Sequence, residues 1–420
     1  MLWRLEDTPE QAEFRERFRG WLREVLPADW IAALESGDDE AYAEARRRAE
    51  QSGWNPLTWM RTIGESGFAA PTWPIAYGGL GAPNWSIRIV REELERHRLP
   101  TVGTNLLGVG LAGPTLIEHG TEEQKEKHLR RILTGEEIWC QLFSEPGAGS
   151  DLASLSTRAT RDGDEWVVTG QKVWTSIAQL AHYGMLLART DPTVPKHEGL
   201  TWFILDMRST GVEVRPLRQM TGSAEFNEVF LEGVRIPDSD RVGAVGEGWR
   251  VARTTLMNER VALAGVTLDN VALMGGVRKD PWQSYLDQFP DRSGAVTRQR
   301  LVDVWIRQQA KEITSHRAAA ARNRGSQPGP EGAIGKVFNA ELNQDRTELV
   351  VDAHGPSGVA WEASDSDAVQ RAHAFLRSRA NSIEGGTSEV LRNQIAERIL
   401  GLPREPDPYK GVPFQDLPRG

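Results

Sequence analysis

The sequence predicts an α+β chain in three parts, and three observations predict it. Apolar residues recur at helical spacing up to about residue 137, alternate with a period of two from 138 to 245, and return to the helical period from 246 to about 400. Capping sequences stand at the starts of helical runs. In the middle part, strand-like segments follow one another at hairpin spacing without intervening helices, the pattern of an antiparallel sheet or barrel.

Thr8-Pro9-Glu10-Gln11 combines an N-cap, a proline at the first helical position and a capping-box Gln. Phe14, Phe18, Trp21, Leu22 and Leu26 then follow at helical spacing until Pro27 ends the run. Gly120-Thr121-Glu122-Glu123-Gln124 repeats the signal for a helix through Leu129 and Ile132. Between them, Pro71-Thr72-Trp73-Pro74 and Tyr77-Gly78-Gly79-Leu80-Gly81 are irregular, and either line a site or connect helices. In the middle part, Arg161-Asp162-Gly163-Asp164 reads as a hairpin turn before the strand Glu165 to Thr169. Further strands are expected at Tyr183 to Arg189, Leu200 to Asp206, Val212 to Leu217 and Phe226 to Leu231. The last helix runs from Ser388 through Leu391, Ile395 and Ile399 and stops at Gly401-Leu402-Pro403. The tail to Gly420 is Pro-rich and expected to be extended. The expected divisions are 1–137, 138–245, 246–405 and 406–420.

At 420 residues the chain has room for two or three packed units. A formal net charge of -9 argues against nucleic acid, whose phosphates need a basic surface. The single cysteine, Cys140, excludes an internal disulfide and a cysteine-rich metal site, and no metal is expected. No apolar run reaches the roughly 18 residues of a membrane span. Glu6, Asp7 and Glu10 occupy the N-terminus with no apolar core behind them, so a cytoplasmic protein is expected.

Four local sequences carry chemistry. Leu142-Phe143-Ser144-Glu145-Pro146-Gly147-Ala148-Gly149-Ser150-Asp151 links the first helical part to the sheet, and its small residues let backbone amides approach a ligand closely. Gly170-Gln171-Lys172-Val173-Trp174-Thr175-Ser176 reads as a strand with an aromatic followed by hydroxyls; Trp174 fits a ligand wall or ordinary core. Asn258-Glu259-Arg260 lies on a helix whose apolar positions Leu256, Ala262, Leu263 and Val266 share the face of Glu259. Carboxylates held on an apolar face lose hydration, which suits them to general-base work; the alternative is a structural Glu bonded to a neighbouring element. Ile383-Glu384-Gly385-Gly386-Thr387-Ser388-Glu389 places a glycine pair before a capped helix.

Together, in this order and spacing, these segments resemble the acyl-CoA dehydrogenase family, and the resemblance covers nearly the whole chain. It implies an N-terminal helical domain, a middle β-domain and a C-terminal four-helix bundle, with FAD held among them. It also implies that Phe143, Ser144, Gly149 and Ser150 lie along the flavin, with Ser150 also near substrate. Trp174, Thr175 and Ser176 would cover one flavin face, Ser176 approaching N5, while Thr387 and Glu389 would contact cofactor from the closing helix.

The family reaction passes an α-proton to a carboxylate and a β-hydrogen, as hydride, to the flavin, while hydrogen bonds polarise the thioester carbonyl. Many members carry the base as Tyr-Glu-Gly-Thr in the last motif. Alignment there puts Gly385 at the base position, and glycine accepts no proton. Glu384, one residue away, points elsewhere. Isovaleryl- and long-chain-type members instead carry the base before an Arg on the helix opening the C-terminal bundle, which implies Glu259 as the base and Arg260 as a residue that contacts the CoA moiety of the substrate or braces the site.

The pattern departs from the family twice. Leu286-Asp287-Gln288-Phe289-Pro290 stands where an Arg-x-Gln-Phe-Gly clamp reaches the FAD of a neighbouring subunit, and Asp352 to Gly358 replaces a Gln-x-x-Gly-Gly pattern. Both resemble bacterial members that act on bulky acyl-CoAs, such as steroid side chains, often as two-subunit assemblies. The resemblance thus implies an acyl-CoA substrate, an electron-transfer flavoprotein as acceptor, and a homo-oligomer or a heteromer with a homologous subunit. An oxidase on the same fold and a non-catalytic partner subunit stay open.

Overall fold

The computed structural model describes residues 7–100, 105–265, 294–323, 331–360, 362 and 364–418. These residues fall into two compact units.

The first unit takes the described residues of Met1–Val109 and Thr121–Ile138. It contains α1 (Pro9–Val25), α2 (Ala28–Ser36), α3 (Asp39–Gln51), α4 (Pro56–Glu65), α5 (Trp85–Arg96) and, from further along the chain, α7 (Glu122–Thr134). Thr8 and Gln11 form the expected capping box, as do Thr121 and Gln124. The α1 face of Phe14, Phe18 and Leu22 packs into one apolar core with Trp30, Ile63, Phe68, Ile89 and Leu94. Glu93 is buried in α5 and meets the guanidinium groups of Arg15 and Arg19, each at 2.8 Å, which satisfies the carboxylate.

The second unit takes the described residues of Gly110–Gly120, Trp139–Leu268 and Arg278–Gly420. The helix α6 (Gly113–His119) belongs here although its sequence lies inside the first helical part. Its buried Thr115 hydroxyl shares a 2.9 Å hydrogen bond with Thr255, and His119 Nε2 lies 2.8 Å from Thr254 Oγ1. Both partners sit on α8 (Gly248–Gly265).

The sheet comprises β1 (Trp139–Leu142), β2 (Arg158–Asp162), β3 (Glu165–Ser176), β4 (Tyr183–Arg189), β5 (Leu200–Asp206), β6 (Val212–Leu217), β7 (Phe226–Pro237) and β8 (Arg241–Val242). Its order is β6-β7-β3-β2-β4-β5-β8, with β1 beside β4. The sheet is mixed where a purely antiparallel one was expected. β1 runs parallel to β4 from Trp139↔Tyr183 to Leu142↔Leu186, and β2 touches β4 in parallel at Arg158↔Arg189. A hairpin can only pair neighbours antiparallel; β1 and β4 are joined through the whole β2–β3 hairpin, a crossover long enough for the parallel sense. Hydrophobic alternation cannot report that sense.

The chain then returns to helix: α8, α9 (Ala295–Asn323), α10 (Glu331–Ala353), the short α11 (Pro356–Val359), α12 (Ser366–Ser378) and α13 (Ser388–Arg398). Leu301 and Val304 of α9 pack with Leu342, Leu349 and Ala353 of α10, and Leu391 of α13 packs with Val337 of α10. The tail, expected to be extended, instead turns and docks. Phe414 N donates to Val194 O at 2.9 Å, Gln415 N donates to Pro192 O at 3.0 Å, and the Phe414 ring lies 3.5 Å from the Arg189 guanidinium carbon. Phe414 covers a buried cation whose backbone acceptors lie on the Ala153–Leu155 turn and at Lys196. Among the described residues, no helix is long and apolar enough to cross a membrane.

Candidate active site

The Gly-rich segment leaves β1 and is fixed by a buried ion pair. Lys172 of β3 is fully buried, and its ammonium donates to Glu145 Oε1 at 2.8 Å, to Phe143 O at 3.0 Å and to Leu187 O at 2.8 Å. The Glu145 carboxylate also accepts from the amides of Ser156 at 2.6 Å and Thr157 at 2.9 Å. Burial pushes the Glu145 carboxyl up, but Lys172 and these donors outweigh it and hold it below the usual carboxylate range. Glu145 and Ala148 exchange two backbone hydrogen bonds of 3.0 Å, closing a turn. This anchoring leaves Phe143 buried, Ser144 half-buried, and Gly149 and Ser150 exposed.

Val173 N donates to Ser144 O at 2.9 Å, which lays the segment against the end of β3. The β3–β7 register slips between Lys172 and Thr175, and in that bulge Trp174 adopts a φ of 59°. The indole is 57% exposed, so Trp174 is not core. Thr175 is buried, with its backbone carbonyl held by Asn227 Nδ2 at 3.1 Å, and Ser176 is half-buried. An uncovered indole beside an open glycine segment, with half-buried hydroxyls at Ser144 and Ser176, fits a flat ring with a polar edge, as flavin is.

The closing segment reaches the same neighbourhood. Trp174 meets Phe226 edge-on at 5.8 Å, and Arg377 of α12 lies 5.8 Å from the Phe226 ring centre. Arg377 Nη2 also donates to Glu384 Oε2 at 2.7 Å, and Asn381 Nδ2 donates to Glu384 Oε1 at 2.6 Å. Glu384 is thereby a tether rather than a free carboxylate. Gly385 and Gly386 have φ values of 64° and 96°, left-handed backbone where a glutamate would be strained. Thr387 caps α13, its Oγ1 accepting from Val390 N at 3.2 Å, while Glu389 is exposed, 3.9 Å from Arg392.

Glu259 is half-buried on α8, one turn beyond the fully buried Thr255 and two beyond the fully buried Ala252, on the face turned into the unit. Gln141 Nε2 of β1 donates to Glu259 Oε2 at 3.1 Å. Directly after Gln141 the chain enters the Gly-rich segment at Leu142. The Arg260 side chain, the apolar companions Ala262, Leu263 and Val266, and Leu286 to Pro290 lie outside the described residues or side chains. In the second departure, Asp352 pairs with Arg300 at 2.8 Å, and Gly358 packs so closely that a side chain there would strike Val351 O.

Sequence reasoning passed over Gln141, Lys172 and Arg377. Gln141 is the one polar side chain of the apolar strand Trp139-Cys140-Gln141-Leu142, and that was its signal. Lys172 is a charge at an inward strand position.

The N-terminal, middle and C-terminal domain profiles of acyl-CoA dehydrogenases match residues 8–136, 140–234 and 246–400. Acyl-CoA dehydrogenase IpdE1 of Mycolicibacterium smegmatis is 37% identical over 94% of this chain and 99% of its own length. Acyl-CoA dehydrogenase FadE34 of Mycobacterium tuberculosis is 41% identical over 81% of this chain, which spans only 46% of that longer protein. Among solved structures, the Tcur3481-Tcur3483 steroid ACAD superposes with a TM-score of 0.75 at 31% identity, covering 96% of this chain and 100% of the other. The ChsE4-ChsE5 complex from Mycobacterium tuberculosis gives 0.70 at 29% identity, covering 96% and 100%. The chain belongs to the acyl-CoA dehydrogenase family, which consists of FAD-dependent oxidoreductases.

Proposed function

We propose that this chain converts an acyl-CoA thioester to its 2-enoyl-CoA, with Glu259 as acceptor of the α-proton. The observation that carries the reading is the position of Glu259 on the inward face of α8, hydrogen-bonded to the strand that runs into the Gly-rich segment. FAD, when bound, supplies the acceptor for the β-hydrogen, which leaves as hydride as the carbon–carbon double bond forms. Phe143, Ser144, Gly149 and Ser150 would hold the cofactor on one side, Trp174, Thr175 and Ser176 along a face, and Thr387 and Glu389 from the closing helix. Ser150 and Arg260 would contact substrate. Glu384 is engaged by Arg377 and Asn381, which supports Glu259 as the base.

The substrate class we infer is a bulky acyl-CoA, of the steroid side-chain kind, passing its electrons to an electron-transfer flavoprotein. Support comes from similarity to a solved protein named a steroid ACAD. The partner is inferred to be a homologous subunit, since a related solved structure is a complex of two named chains.

The test is anaerobic bleaching of the flavin by octanoyl-CoA, isovaleryl-CoA and a cholestenoyl-CoA thioester. The steroid thioester should bleach fastest. Glu259→Gln keeps the shape of the side chain but removes the proton acceptor, so it should retain FAD while its reduction slows by roughly 10²- to 10⁴-fold. Normal reduction in that variant sinks the base assignment.

A further inference from the structure

We propose that Gln141 is a positioning residue that holds the carboxylate of Glu259 in the orientation needed for proton abstraction. The inference rests on Glu259 being the base and adds the group that aims it. Gln141 sits in β1, its backbone fixed opposite Met185 of β4. Strand alternation puts Cys140 and Leu142 into the sheet core, where both are fully buried, and turns Gln141 to the other face. On that side lies Glu259, whose Oε2 accepts from Gln141 Nε2 at 3.1 Å.

The chemistry of the pair favours this role. An ionised carboxylate only accepts hydrogen bonds, so the amide nitrogen of Gln141 is the donor. A neutral donor restrains one carboxylate oxygen without the full positive charge of Lys or Arg. A cation there would favour the ionised form and weaken Glu259 as a proton acceptor. The restraint also ties base and cofactor together, because Gln141 is two residues from Phe143, whose carbonyl Lys172 holds. The donor that restrains the carboxylate is thus anchored beside the segment proposed to hold the cofactor, which favours the spacing on which proton and hydride removal depend.

The experiment compares Gln141→Leu, Glu259→Gln and the double variant as flavin-loaded proteins, reduced anaerobically by the cholestenoyl-CoA thioester. Leucine is close in size to glutamine and keeps β1 packed. The limiting reduction rate of Gln141→Leu should fall about 10- to 100-fold, the scale of a lost charge-assisted bond or a misplaced reacting group. Its half-saturating thioester concentration, flavin content and visible spectrum should not change. In the Glu259→Gln background the same substitution should have no further effect, because there is no base left to aim. An unchanged rate in Gln141→Leu beside a slow Glu259→Gln overturns the positioning role alone. An equal further loss in the Glu259→Gln background, or loss of flavin from Gln141→Leu, overturns it in favour of a structural role. Normal reduction by Glu259→Gln overturns both this inference and the base assignment beneath it.

Discussion

At the scale of single residues, the two candidate carboxylates are separated by what already occupies them. Glu384 spends both oxygens on Arg377 and Asn381, so Glu384→Gln should leave flavin reduction within about tenfold of the parent, a local loss well short of removing a base. Stopped-flow reduction measures it, and a dead Glu384 variant would reverse the assignment. Lys172 is the residue whose loss should cost most in stability. Lys172→Met leaves Glu145 buried without its cation, a change of about 3–5 kcal/mol that denaturant titration should detect together with FAD loss. Much at this scale was legible: both capping boxes, and the glycines that deny Gly385 a base, announce themselves in local sequence. The roles of Gln141 and Lys172 were not legible, because their partners lie on other elements and only the folded chain brings them together.

At the scale of elements, the Gly-rich segment is held to β3 by an ion pair with a pH dependence of definite sign. The folded state holds the Glu145 carboxyl below its usual range. Its stabilisation is therefore complete above the ordinary carboxylate value of about 4.3 and is lost as pH falls through the lower folded value. Flavin fluorescence on acidification should report release only below that ordinary value. In Lys172→Met the release should begin at higher pH, and identical curves would detach the ion pair from cofactor binding. On α9, Val302, Trp305, Ile306 and Ile313 leave an apolar stripe 42–53% exposed. A homologous chain is the inferred cover, so Trp305→Glu should shift the sedimenting species toward monomer, and an unchanged sedimentation profile counts against that face. The strands Tyr183–Arg189, Leu200–Asp206 and Val212–Leu217 fall at the expected residues, the first two buried along nearly their whole length and only the third alternating. The parallel sense of β1 and β4 was not readable, since alternation records which face a residue takes and not the direction of its neighbour.

At the scale of the whole molecule, helix, sheet and helix follow in the order the changes of period announce, while docking of the tail was not foreseen. Proline richness suggested an extended backbone and carried no sign of the buried Arg189 that Phe414 covers. Burial pushes the Arg189 guanidinium down to about 10, and the aromatic face above it lies against a cation held otherwise by backbone carbonyls. Phe414→Ala should lower thermal stability and loosen the Ala153–Leu155 turn, which hydrogen exchange at those amides would register. Unchanged exchange would make the contact incidental. The same contact sets an order of assembly during synthesis. Arg189 leaves the ribosome long before Phe414, so the middle sheet must wait, with a buried cation uncapped, until the distal segment emerges. A prematurely terminated chain would possess every strand of that sheet and still lack the ring that covers Arg189.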